Sequence, residues 1–224
     1  MERNGSKTLW LGRRPAPKRP QNPFPRFRTS ELVRLRALSQ AIGTVQTMSE
    51  NQQAIGNWHS GKAVLMLDLD DVLNPSLMRH PHKTRLDGYH KQPFGPVKAW
   101  VCEEHGQRLE DLDVQIVWAT TWVDYPVLLA EYAAAIGLPA DLPRIAKVSP
   151  SSLAGSGKLD GLRDWLTASD AEDVPLIWID DALAGHDLAW AEDRTAPTLT
   201  LTPIPQLGLT AAMYGQVHEF LDSL

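Results

Sequence analysis

"LMLDLDDVLNP" occupies residues 65–75, and in it an apolar run ends in three acids within four positions, Asp68, Asp70 and Asp71. The run extends back to Ala63. Its continuous apolar character is that of a strand buried on both faces, as in a parallel sheet. Asp68 and Asp70 are two apart, so on extended chain both side chains face the same way. Negative charge gathered at the end of a buried strand needs a chemical reason, because crowded carboxylates repel and burial deepens the repulsion.

Outward from this stretch the chain alternates. "VQIVWAT" (114–120), "RIAKV" (144–148), "VPLIWID" (174–180) and "PTLTLTP" (197–203) read as further strands. "VKAWVCEEHGQRLEDL" (97–112), "YPVLLAEYAAAIG" (125–137, closed by Gly137), "KLDGLRDWLTA" (158–168), "AGHDLAWAEDR" (184–194) and "LTAAMYGQVHEFLDSL" (209–224) read as helices. Residues 75–96 read as a loop rich in His, Pro and Gly. This alternation predicts an α/β fold, a Rossmann-like parallel sheet with helices on both faces, over residues 61–224. Residues 1–60 are expected to be a basic extension: a proline-rich arm, "RRPAPKRPQNPFPRFR" (13–28), then one helix capped by Ser30 and a linker.

Ligands of open parallel sheets bind beyond the carboxyl ends of the strands. Three strands end there in polar residues: Asp68 and Asp70, Thr120 and Thr121, Asp180 and Asp181. Lys158 opens the helix before the strand that ends in Asp180. A hard cation such as Mg²⁺ relieves the clustered acids, since it takes a few carboxylates plus waters and a phosphate. One carboxylate then attacks phosphorus, and another protonates the leaving oxygen and later activates water. Lys158 and the Thr120 hydroxyl hold phosphoryl oxygens as charge builds.

In "LDLDDVL" (67–73), "IVWAT" (116–120), Lys158 and "WIDD" (178–181), in that order and spacing, the chain resembles the haloacid dehalogenase (HAD) superfamily over roughly residues 63–224. The resemblance implies a phosphohydrolase with Asp68 as nucleophile and Asp70 as general acid/base. It places Thr120 on phosphate and Lys158 on nucleophile and phosphate. Its metal site draws on Asp68, the main-chain carbonyl of Asp70, and Asp180 assisted by Asp181. "DDVLNP", "VWATTW", "WAEDR" and "APTLTLTP" are similar to small domains of this superfamily in actinobacteria and their phages, with relatives in RNA-repair-type fusions. Asp71 stands where the family often has Gly. Thr121 competes with Thr120 for the phosphate, and Lys147 competes with Lys158.

Superfamily members choose substrates largely through inserted caps. The 39 residues between Asn74 and Val114, sixteen of them in a predicted helix, leave no room for a large cap, and neither does the stretch 122–157. An open site suits a large substrate. Residues 1–36 hold ten Lys/Arg against two acids, a net +8; with the whole chain at −5, the rest carries −13. A basic arm on an acidic body points to a polyanion, most simply nucleic acid. The loop 78–96 adds Arg79, Lys83, Arg85 and Lys91 beside Tyr89 and His90, a mixture suited to phosphate and base contact.

The expected activity is a Mg²⁺-dependent phosphatase acting on a nucleotide or nucleic-acid end. Its rivals are a small-metabolite phosphatase and a binding protein that kept the fold without turnover. Zinc on His80, His82 and His90 is disfavoured by irregular spacing and the lack of cysteines, and a receiver-type module fits the Asp spacing poorly. Trp118, Trp165 and Trp178 are assigned to the core, His186 to a helix start at the surface. The single cysteine, Cys102, excludes an internal disulfide and is read as structural. No apolar run approaches the roughly 18 residues of a membrane span, so a soluble intracellular protein is expected, with no oligomeric state assigned.

Overall fold

A computed structural model describes residues 61–75, 88–150 and 155–224. The basic arm, the helix expected from Glu31, and Arg79, His80, His82, Lys83 and Arg85 lie outside the described residues. The strands are β1 (Val64–Leu67), β2 (His90–Phe94), β3 (Val97–Val101), β4 (Gln115–Trp118), β5 (Leu176–Ile179) and β6 (Thr198–Leu201). The helices are α1 (Glu103–Glu110), α2 (Pro126–Ala135), α3 (Leu159–Ala168), α4 (Gly185–Asp193) and α5 (Ala211–Asp222), with a 3₁₀ turn over Thr121–Asp124.

Four strands form one parallel sheet in the order β4-β1-β5-β6. Every residue of β1, β4 and β5 is buried, which explains why all of them but Gln115 are apolar. The chain steps from β1 to β4, crosses back to β5, then moves on to β6. After β4 the chain runs through α2 to a parallel bridge on the outer edge of β4, Arg144 to Trp118, before α3 leads back to β5, so right-handed crossovers put α1 and α2 on one face and α3 and α4 on the other. Contacts agree: Gly106 of α1 packs on the Ile136 carbonyl behind α2, and Gly161 of α3 packs on Lys147 O and Ile145. Tyr214 of α5 bonds His105 of α1, so the last helix returns to the first face. Trp118 and Trp178, on β4 and β5, are among the largest fully buried side chains, and Trp165 on α3 is buried too.

Three expectations are corrected. The helix predicted over 97–112 is a strand followed by a helix. Val97–Val101 pairs antiparallel with His90–Phe94, and α1 begins only at Glu103, after Cys102 in extended backbone. Part of the predicted loop 75–96 is thus β2. The strand predicted over 144–148 is a single bridge, Arg144 to Trp118. Beyond Ile145 the chain turns away; Ser149 N–H donates to Gly157 O (2.8 Å). No large cap interrupts the described residues.

β1 is central, and its neighbours β4 and β5 are reached in opposite directions. This is the switch point at which open α/β sheets build their sites. Leu67 aligns with both Trp118 and Ile179, so the residues that follow on all three strands emerge at one rim.

Candidate active site

The register carries past the strand ends. Asp68 N–H donates to Ile179 O (3.0 Å), Ala119 N–H to Leu67 O (2.9 Å) and Asp180 N–H to Leu201 O (3.1 Å). The backbone thus holds Asp68 beside Asp180, and Asp180 is fully buried. Lys158, at the start of α3, enters from the next connection. Its Nζ donates to Asp68 Oδ2 (2.5 Å) and Asp180 Oδ2 (2.6 Å), and it too is buried. The remaining oxygens are also engaged: Leu69 N–H donates to Asp68 Oδ1 (2.7 Å), and Ala182 N–H to Asp180 Oδ1 (2.9 Å).

One lysine faces several acids, and the imbalance shows in their protonation. Burial and then the charge of Asp68 push Asp180 upward, with Lys158 only partly offsetting them. Burial, then Asp68 and Asp180, raise Asp181 to about 7. For Lys158 burial works against the charged form, but Asp68 and Asp180 outweigh it and hold the ammonium protonated. Carboxylate oxygens of Asp68, Asp180 and Asp181 lie within 4.8 Å of one another. Hard oxygen donors this close, two of them reluctant to ionise unaided, are a set that a divalent cation fits and stabilises.

Asp70 stands beside that trio and is half-buried. Asn74 Nδ2 donates to its Oδ1 (2.8 Å) and Trp122 Nε1 to its Oδ2 (3.0 Å). Burial first, then Asp68, raise its pKa against those two hydrogen bonds. Asp71 adopts φ 62°, the left-handed conformation Gly takes freely and Asp tolerates best among charged residues. Its N–H donates to Asn74 O (3.0 Å), while the N–H groups of Leu73 and Asn74 both reach Leu69 O, which folds 69–74 into a tight turn.

Thr120 is fully buried just beyond β4, and its Oγ1 accepts Trp122 N–H (3.4 Å). Thr121 is exposed on the 3₁₀ turn. Lys147 pairs with Asp164 (3.0 Å) on the exposed side of α3, away from the acids. Of the acids and lysines nominated from sequence, the structure gathers Asp68, Asp180, Asp181 and Lys158, sets Asp70 beside them, and leaves Lys147 outside. His186 is exposed. Two residues escaped the sequence reading. Asn74 and Trp122 grip Asp70, and Trp122 also touches Thr120; the signals for them were an amide four residues after Asp70 and the indole closing "WATTW". Tyr89, nominated for base contact, is buried and bonded to His105.

A sequence model of the HAD domain in Swiss Army Knife RNA repair proteins matches residues 64–213. The chain belongs to that family. The match spans every strand and all of the acids above, so the acid cluster lies within the HAD domain. No curated protein and no solved structure matched the chain. Among the described residues no helix of the HAD domain is long and apolar enough to cross a membrane.

Proposed function

We propose that this chain is a Mg²⁺-dependent phosphomonoesterase that works through an aspartyl-phosphate, on a nucleotide or nucleic-acid end. The observation that carries the reading is the single ammonium of Lys158 shared by Asp68 (2.5 Å) and Asp180 (2.6 Å), with Asp181 completing an acid cluster. In this reading Asp68, Asp180, Asp181 and the main-chain carbonyl of Asp70 hold the metal, which when bound neutralises charge on the phosphoryl oxygens.

Asp68, held in place by the Lys158 ammonium, attacks phosphorus as the bond to the ester oxygen breaks. Asp70, whose raised pKa keeps a proton available, gives that proton to the departing oxygen. As a carboxylate it then takes a proton from water, whose oxygen attacks the same phosphorus. Phosphate leaves and Asp68 is restored. Lys158 and the Thr120 hydroxyl, with Thr121 as the alternative, hold phosphoryl oxygens and exclude one orientation of the group.

The substrate class rests on the RNA-repair description of the family, the lack of a large cap among the described residues and the basic residues 1–36. The test is phosphate release from a panel of nucleotides, 5′- and 3′-phosphorylated oligonucleotides and sugar phosphates, with and without Mg²⁺. Metal-dependent release that Asp68→Asn abolishes is expected. Release that persists in Asp68→Asn sinks the nucleophile assignment, and a preference for sugar phosphates sinks the substrate class.

A further inference from the structure

The β2–β3 hairpin adds no side chain to the acid cluster, yet it is fastened to the residues around it. Trp100 N–H donates to Asn74 Oδ1 (2.9 Å), and Tyr132 O–H donates to Trp100 O (3.0 Å). Both backbone groups of Trp100 therefore point out of the hairpin, so it faces Lys91 in the closer pairing that shares no ladder bonds. Pro93 opposes Lys98 in the same phase, where its missing N–H removes no bond. Alternation then sorts the two faces. Phe94, Ala99 and Val101 are buried on one; Lys91, Pro93 and Lys98 are exposed on the other, with Trp100 half-exposed among them. Lys91 Nζ sits 5.4 Å from the centre of the Trp100 ring.

Among the described residues, nothing in the fold requires an indole and two lysines on an outward face. On a body that is otherwise strongly acidic, they make a local cationic and aromatic surface. Asn74 connects it to the chemistry, since the same amide bonds Trp100 and Asp70. We propose that Lys91, Lys98 and Trp100 hold a single-stranded nucleic-acid segment beside the phosphorylated end that enters the acid–lysine site. A base stacks on the indole, and the lysines meet backbone phosphates. This rests on the phosphatase reading for the placement of the end, but not for the surface itself.

The test uses the full chain, with Trp100→Ala, Trp100→Phe and the double variant Lys91→Ala/Lys98→Ala, each checked by thermal melting. Kinetics on p-nitrophenyl phosphate are compared with those on phosphorylated single-stranded RNA and DNA oligonucleotides. Binding of labelled oligonucleotides is followed by anisotropy at several salt concentrations. Trp100→Ala is expected to weaken oligonucleotide binding and raise its KM by about fivefold to a hundredfold. Trp100→Phe falls between, and kcat/KM on p-nitrophenyl phosphate stays within about twofold. The lysine pair lowers the salt dependence by roughly one to two phosphate contacts. Equal effects on RNA and DNA mark stacking and phosphate contact; a stronger effect on RNA adds the 2′-hydroxyl. Unchanged oligonucleotide binding in every variant overturns the proposal, as does an equal loss on both substrate classes. If the unaltered chain hydrolyses nothing, the phosphatase reading falls, and anisotropy alone decides the surface.

Discussion

Trp122 donates its indole N–H to Asp70 Oδ2 at 3.0 Å while its main-chain N–H donates to Thr120 Oγ1. One residue thereby spaces a strand-end hydroxyl from a carboxylate 52 positions earlier. The indole bond favours the ionised form of Asp70. Trp122→Phe keeps a ring in the core and removes that bond. It should shift the pH–rate profile upward and lower kcat roughly threefold to tenfold. A profile that does not move would detach Asp70 from the proton transfers.

Lys158 is the ammonium shared by two buried carboxylates, so its loss is felt first in stability. Lys158→Met should cost roughly 3–5 kcal/mol in urea unfolding at pH 8, because it strands charge in the interior. The cost should shrink at pH 5, where Asp180 and Asp181 take up protons instead. A cost that is the same at both values would contradict the ion-pair account.

Asp181 is raised to about 7, and Asp180 is raised as well. The folded protein thus holds protons that the unfolded chain releases near pH 4. The stability these two groups contribute without metal is greatest below pH 4 and is lost as pH rises to about 7. A cation must displace the same protons, so it binds more tightly as pH passes 7. The rise in melting temperature on adding Mg²⁺ should therefore be larger at pH 8 than at pH 6, and Asp180→Asn should remove most of it.

His105 shows the opposite sign. Burial holds it down at about 4, neutral between Tyr89 and Tyr214 Oη (2.9 Å). Its contribution is complete above pH 6.5 and disappears as pH falls to about 4, a loss of about 3 kcal/mol. Because the acid cluster strengthens the fold over the same interval, the two trends mask each other. Removing the acid contribution with Asp180→Asn should expose a steeper acid-side decline in stability. A slope unchanged by that substitution would contradict this opposition.

Gly106 lets α1 lie directly on the end of α2. A Cβ there would sit 1.6 Å from the Ile136 carbonyl oxygen. Gly106→Ala should cost more than about 3 kcal/mol, although alanine is the better helix former. A melting temperature within a few degrees of the parent would show that this contact yields.

Much of the architecture could be read from residue order because β1, β4 and β5 are buried throughout, and total burial leaves a run that is apolar but for Gln115. The acids at their ends were legible for the same reason, as charge where a core strand stops. The hairpin was not. Val97 and Val101 satisfy a helical spacing as well as an alternating one, and the true helix start, marked by Glu103 and Glu104 after Cys102, was absorbed into a longer helix. "RIAKV" has strand composition, but only Arg144 bridges Trp118, and Lys147 O lies against Gly161 of α3 instead of a neighbouring strand. Asn74 and Trp122 were missed because their partners are set by tertiary contact. Trp100 was hidden inside the misread helix, and Tyr89 was assigned a surface role that its bond to His105 precludes.

Lys158 follows Asp68 by 90 residues along the chain, and Asp180 comes 22 later still. At about 5–20 residues per second, a ribosome exposes the first strand roughly 5–20 s before the lysine and its second acid are even made. A nascent chain that has not yet reached Asp180 therefore cannot assemble the acid–lysine cluster.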